Sequence, residues 1–175
     1  MSRNDQILTE QIIQQEFSKT NEFNTENIFF EFFSAGLILK DYDLSYDQIE
    51  DGLCGNSLDG GADSIYLFIN GDLISEDSNI DDKYKKNVDI ELIIIQSKNE
   101  KSFGEDAILK LAKLSKNLLN LDFEPDDYKL RYNEKILSKF DHFRKTYVSL
   151  VTKRPKLRIK YYYVTKGGDA ANLLI

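Results

Sequence analysis

Apolar positions along the chain follow two periods, and each predicts its own elements. Ile7, Leu8, Ile12, Ile13 and Phe17 recur at helical spacing and predict a short amphipathic helix over 5–18. Thr25 is placed as an N-cap, with Ile28 three residues on, and predicts a second helix over about 26–40. That helix is apolar nearly all round, so it should be buried. Tyr46, Ile49 and Leu53 anchor a short helix or turn over 44–52, and a glycine-rich loop follows. Residues 64–69 read Ser-Ile-Tyr-Leu-Phe-Ile, a strand bounded by turn residues. The next pair, Asn70-Gly71, suits a type I′ hairpin turn, which needs positive φ at both central positions. Residues 75–88 are polar and predict an exposed, mobile hairpin extension. Residues 90–95, Ile-Glu-Leu-Ile-Ile-Ile, are too apolar for a strand with one wet face, which predicts a strand covered on both sides.

Helical spacing returns after residue 102. Gly104 or Ser102 caps a helix to about 120 whose buried stripe is Ala107, Ile108, Leu111, Ala112, Leu114, Leu118 and Leu119. Residues 121–127, with Pro125, form a linker, and a long helix over about 127–151 carries His142 on its surface. Lys153-Arg154-Pro155-Lys156 ends that helix and starts a tyrosine-rich strand over 157–165, and a further helix opens at Ala170. This order predicts an α/β or α+β three-layer domain with a mixed sheet.

Composition narrows the classes. No run approaches the ~18 apolar residues that a membrane-spanning helix needs, and no basic-then-apolar leader opens the chain. One cysteine, Cys54, excludes an intrachain disulfide and fits a cytoplasmic setting. With one histidine and one cysteine, neither a zinc site nor a Ser-His-Asp triad has support. The net charge of −7 is unevenly spread. Residues 1–95 hold 6 Lys/Arg against 20 Asp/Glu, whereas residues 96–175 hold 17 against 10. Residues 128–160 alone carry 11 basic and 2 acidic side chains, so this segment is the expected polyanion-binding side. Lys110, Lys113 and Lys116 recur on the outer side of the 104–120 helix, as a solvated face or a DNA contact.

Candidate chemistry gathers between Asp59 and Lys98. Asp59-Gly60-Gly61-Ala62-Asp63 precedes the first strand, and Gln96-Ser97-Lys98 ends the apolar one. Residues two apart on a strand share a face, so Gln96 and Lys98 project together and Asp63 can sit opposite them on a neighbouring strand. An acid, an amide oxygen and a lysine at one sheet end suit a hard divalent cation such as Mg²⁺ or Mn²⁺. The same residues also read as two buried strands with ordinary polar ends, and Asp63 as turn chemistry. Glu31 stands among Phe29, Phe30, Phe32 and Phe33, where a carboxylate is costly unless paired, protonated or bound to a cation; it also reads as the helix's one wet edge.

These pieces resemble the PD-(D/E)XK nuclease superfamily, in particular its Mrr-like branch with Gln-x-Lys in place of Glu-x-Lys. More closely, the chain resembles the N-terminal region of the abortive infection phage resistance (AIPR) proteins. The matching stretches are Phe29–Phe33, Asp59–Asp63, Leu67–Gly71, Ile93–Lys98 and Phe103–Asp106, spread over roughly residues 25–120. The resemblance implies a restriction-endonuclease-like three-layer core over 25–175, preceded by a helical extension over 1–24. It implies a fragment of a longer, cytoplasmic phage-defence protein acting as a metal-dependent DNA endonuclease. Asp63, Gln96 and Glu31 would then be Mg²⁺ or Mn²⁺ ligands, and Lys98 would position water or stabilise the phosphate, with Glu26 a weaker substitute for Glu31. Implied partners are DNA or RNA, the rest of the defence protein and a second copy in a homodimer, with no membrane. The alternatives are a non-catalytic nucleic-acid-binding module and a protein-interaction module of the same fold. The family's usual strand before the Asp59 loop has only a poor counterpart here.

Overall fold

The computed structural model describes residues 3–167 except 56, 77, 79, 81 and 82. Helix α1 (Arg3–Lys19) docks on α2 (Glu26–Ile38) through Ile13, which is fully buried beside Phe23, Phe29 and Phe30. Thr25 caps α2, its hydroxyl accepting from the Ile28 amide at 3.3 Å. A short helix, α3 (Tyr46–Asp51), is held by a capping box between Ser45 and Gln48. Strand β1 (Ser64–Ile69) turns through Asn70 (φ 53°) and Gly71 (φ 88°) into β2 (Asp72–Leu73). Then come β3 (Asp89–Lys98), α4 (Glu105–Leu118), α5 (Glu134–Leu150) and β4 (Lys156–Thr165).

The sheet order is β2-β1-β3-β4, with β1 antiparallel to β2 and β3, and β4 parallel to β3. It is the mixed sheet expected of a three-layer α+β domain. One face packs Ile65, Leu67, Ile69, Ile90, Leu92 and Ile94 under α4 and α5. The other packs Tyr66, Phe68, Ile93 and Ile95 under α2 and α3. Strand β3 is therefore covered on both sides, which explains why residues 90–95 lack polar alternation. Among the described residues before the Asp59 loop, strand pairing is reduced to a bridge between Leu53 and Ser64.

Several expectations change. In α4, Ile108 and Ala112 are exposed rather than part of the buried stripe, because only Ala107, Leu111, Leu114 and Leu118 face the sheet. The long helix starts at Glu134 rather than near 127, because Pro125 opens a 3-10 turn (Pro125–Tyr128) and Asn133 is the true cap, accepting from the Ile136 amide at 3.0 Å. His142 is half-buried, and that burial lowers its pKa. The 75–88 segment is not wholly exposed, since Tyr84 and Val88 enter the core. The helix expected at Ala170 lies outside the described residues.

Candidate functional site

The site is built at the C-terminal end of β3. The register pairs Ser64 with Ile95, which brings Asp63 to the level of Gln96. Two hydrogen bonds fix that placement: the Asp63 amide donates to the Ile95 carbonyl at 2.9 Å, and the Ser97 amide donates to Asp63 Oδ2 at 2.5 Å. The Asp59 loop reaches this position through Gly60 (φ 65°) and Gly61 (φ 87°), which take the left-handed conformation that a side chain disfavours. Asp59 stabilises the bend by accepting from the Gly61 amide at 2.6 Å. A Cβ on Gly61 would sit 3.2 Å from Lys110 Cβ and 3.4 Å from Gln96 Nε2, so the loop backbone lies directly against the amide.

Helix α2 supplies Glu31 from the other side. Asn27, Glu31, Asp59, Asp63, Gln96, Lys98, Asn99 and Lys110 line one predominantly polar cleft of about 420 Å³. All four predicted site residues, Asp63, Gln96, Lys98 and Glu31, meet there. Gly55 leaves room for the Glu31 carboxylate, since a Cβ at that position would fall 2.5 Å from Oε2. Glu26 does not join them. Its carboxylate accepts from Lys166 Nζ at 2.8 Å and from Asn99 Nδ2 at 3.2 Å, which tethers the start of α2 to the ends of β3 and β4.

The cleft holds acids in a state that favours protonation. Burial, then the nearby charges of Asp63 and Asp59, push Glu31 up to about 8. Burial also raises Asp63, as does Asp59, to about 7, against the opposing pull of the Ser97 amide and Lys98. Gln96 is only 3 % exposed, and its Oε1 has no donor. An unpartnered buried acceptor costs about 1–3 kcal/mol. Two repelling carboxyls beside an orphaned amide oxygen are an oxygen donor set short of positive charge. Mg²⁺ is held by one or two carboxylates with other oxygens completing its shell, so this set fits such an ion. Among the described residues no group of three or more His, Cys, Asp or Glu side chains is placed to hold a metal ion together. Lys110 also lines the cleft, where sequence reasoning did not place it. Its signal, a lysine one turn into the helix after Gln-x-Lys, is indistinguishable in sequence from a solvated face.

No protein-family model matches this chain, and neither a curated protein nor a solved structure shows significant similarity to it. Among the described residues no helix is long and apolar enough to cross a membrane.

Proposed function

We propose that this domain is a metal-dependent DNA endonuclease that hydrolyses phosphodiester bonds as part of a phage-defence protein. The observation that carries the reading is the meeting of Asp63, Glu31 and the orphaned Gln96 oxygen with Lys98 in one polar cleft. A bound Mg²⁺ or Mn²⁺ would polarise the phosphate and lower the pKa of an attacking water. Asp63, Gln96 and Glu31 would hold it. Asp63 stays oriented through its Ser97 amide bond, and Glu31 through the close fit against Gly55. Lys98 forms no ion pair among the described residues, so its ammonium is free to donate to a phosphate oxygen or to orient water. The neutral Gln96 favours a second reading, a nucleic-acid-binding module without catalysis, because an amide replaces a carboxylate as ligand.

Cleavage of supercoiled and linear DNA with Mg²⁺ or Mn²⁺ separates the two. Cutting by the wild type that is lost in both Asp63→Ala and Lys98→Ala is the expected result. Metal-independent DNA binding without cutting, weakened by Lys98→Ala, would support the non-catalytic module.

A further inference from the structure

The cleft needs a surface beside it that carries the rest of a polyanion, and the basic 128–160 segment is poorly suited to that role. Six of its cations are already matched: Lys129 with Asp126, Lys139 with Asp51, Arg144 and Lys145 with Asp141, and Arg158 and Lys160 with Glu91. Lys135 donates to the Leu53 carbonyl. Arg154 and Lys156 lie at the start of β4, and the parallel register sets Lys156 beside Asp89 and Thr165 beside Lys98. They are therefore at the opposite end of the sheet from the cleft, a strand length of ~30 Å away.

Helix α4 has the opposite character. Its inner stripe of Ala107, Leu111, Leu114 and Leu118 is buried, while Lys110, Lys113 and Lys116 are exposed. None of the three carries an ion pair among the described residues. Lys110 lines the cleft with Lys98, its stem against Gly61. From there the three ammonium groups climb ~9 Å along the helix, enough to follow about three phosphates of one strand at ~3.4 Å axial spacing. Where cations are paired, a phosphate must displace a carboxylate; along α4 it displaces only small ions and water. On a chain of net charge −7, an unpaired row that opens into the cleft is the favourable approach for DNA.

We propose that Lys110, Lys113 and Lys116 form the phosphate-binding track that leads duplex DNA into the cleft, and that the paired cations of the 128–160 segment and those at the start of β4 do not. This rests on the reading of the cleft as a phosphodiester site, but its test does not require cutting. Binding of the intact chain to a fluorescent DNA duplex is measured in EDTA over a range of KCl concentrations. Wild type is compared with the triple variant Lys110→Gln, Lys113→Gln, Lys116→Gln and with the triple variant Lys145→Gln, Arg154→Gln, Lys156→Gln. Both remove the same charge, and Gln is a helix former comparable with Lys. The slope of log affinity against log salt should fall by between about two and three in the α4 variant, at ~0.9 per lost phosphate contact, and stay near wild type in the control. An equal or larger fall in the control, or no salt-dependent binding by the wild type, would overturn the proposal. A protein that binds through α4 but never cuts with metal would leave the track standing and remove only the nuclease reading.

Discussion

Glu91 lies near the start of β3 and Asp63 beside its end, and both residues are more than nine-tenths buried. Their surroundings differ in one respect, the supply of donors and positive charge. Burial raises Glu91, but hydrogen bonds from Tyr42, Lys160 and Arg158 outweigh it and hold the carboxylate below its ordinary range. At the other end, Asp63 and Glu31 face each other and Asp59, and burial wins. The first arrangement is complete, and serves to lock β3 against β4. On the proposed reading a cation completes the second, which would separate a structural buried acid from one kept for chemistry.

The largest expected difference between the two ends is in catalysis. Asp63→Asn should lower metal-dependent cutting by roughly a hundredfold or more, whereas Glu91→Gln should leave it within a few-fold. Stability should respond in the reverse sense. Glu91→Gln loses charge-assisted bonds and should cost about 1–3 kcal/mol by denaturant melting, at the lower end because Arg158 and Lys160 are about two-fifths exposed. An Asp63→Asn variant that melts as badly as Glu91→Gln would mean that both ends are structural.

The pH profile should split the same way. Glu31 and Asp63 are raised to about 8 and about 7 from 4.5 and 3.8, so the folded state keeps their protons longer than the unfolded chain does. Without divalent cations their contribution to stability is full below the unfolded values and declines as pH rises through about 4 to 8. Glu91 is lowered from 4.5, so its contribution is present above that value and lost as pH falls through the depressed folded value. Melting across pH in EDTA should show Glu31→Gln flattening the alkaline side and Glu91→Gln flattening the acid side. If Glu31→Gln leaves the alkaline side unchanged, the carboxyl is not confined as described.

Smaller effects sharpen the site itself. Gln96→Glu should tighten Mn²⁺ binding while lowering stability of the metal-free protein at pH 8, because it adds a further acid to the cleft. Weaker Mn²⁺ binding would remove Gln96 from the ligand set. Gly55→Ala pushes a methyl group to 2.5 Å from Glu31 Oε2, so it should weaken Mn²⁺ affinity several-fold with a stability loss of about 1 kcal/mol. Titration calorimetry reads the first effect and thermal melting the second.

Much of this arrangement was legible in local signals. The Thr25 cap, the Asn70-Gly71 turn, the doubly covered β3 and the Gly104 cap all depend on a few adjacent residues. The alignment of Asp63 with Gln96 needed one non-local fact, the pairing of β1 with β3. What local signals misplaced depended on distant partners. The start of α5 was obscured because apolar spacing continues through Tyr128 while the backbone runs through a 3-10 turn to Asn133. Tyr84 and Val88 are isolated apolar residues in a polar run, and only the tertiary fold draws them inward. The basic 128–160 segment is partly neutralised in the fold, which its sequence alone does not show. Counting charge along the chain cannot reveal that Asp51, Asp89 and Glu91, remote in sequence, come to neutralise Lys139, Arg158 and Lys160.

Mn²⁺ titration of the metal-free protein at pH 8, followed calorimetrically in wild type, Asp63→Asn and Glu31→Gln, tests the central claim most directly. The account predicts one saturable site in the wild type, its affinity reduced at least about tenfold in each variant, and a rise in melting temperature on saturation. Equal affinity in all three proteins, or no saturable binding by the wild type, would contradict it.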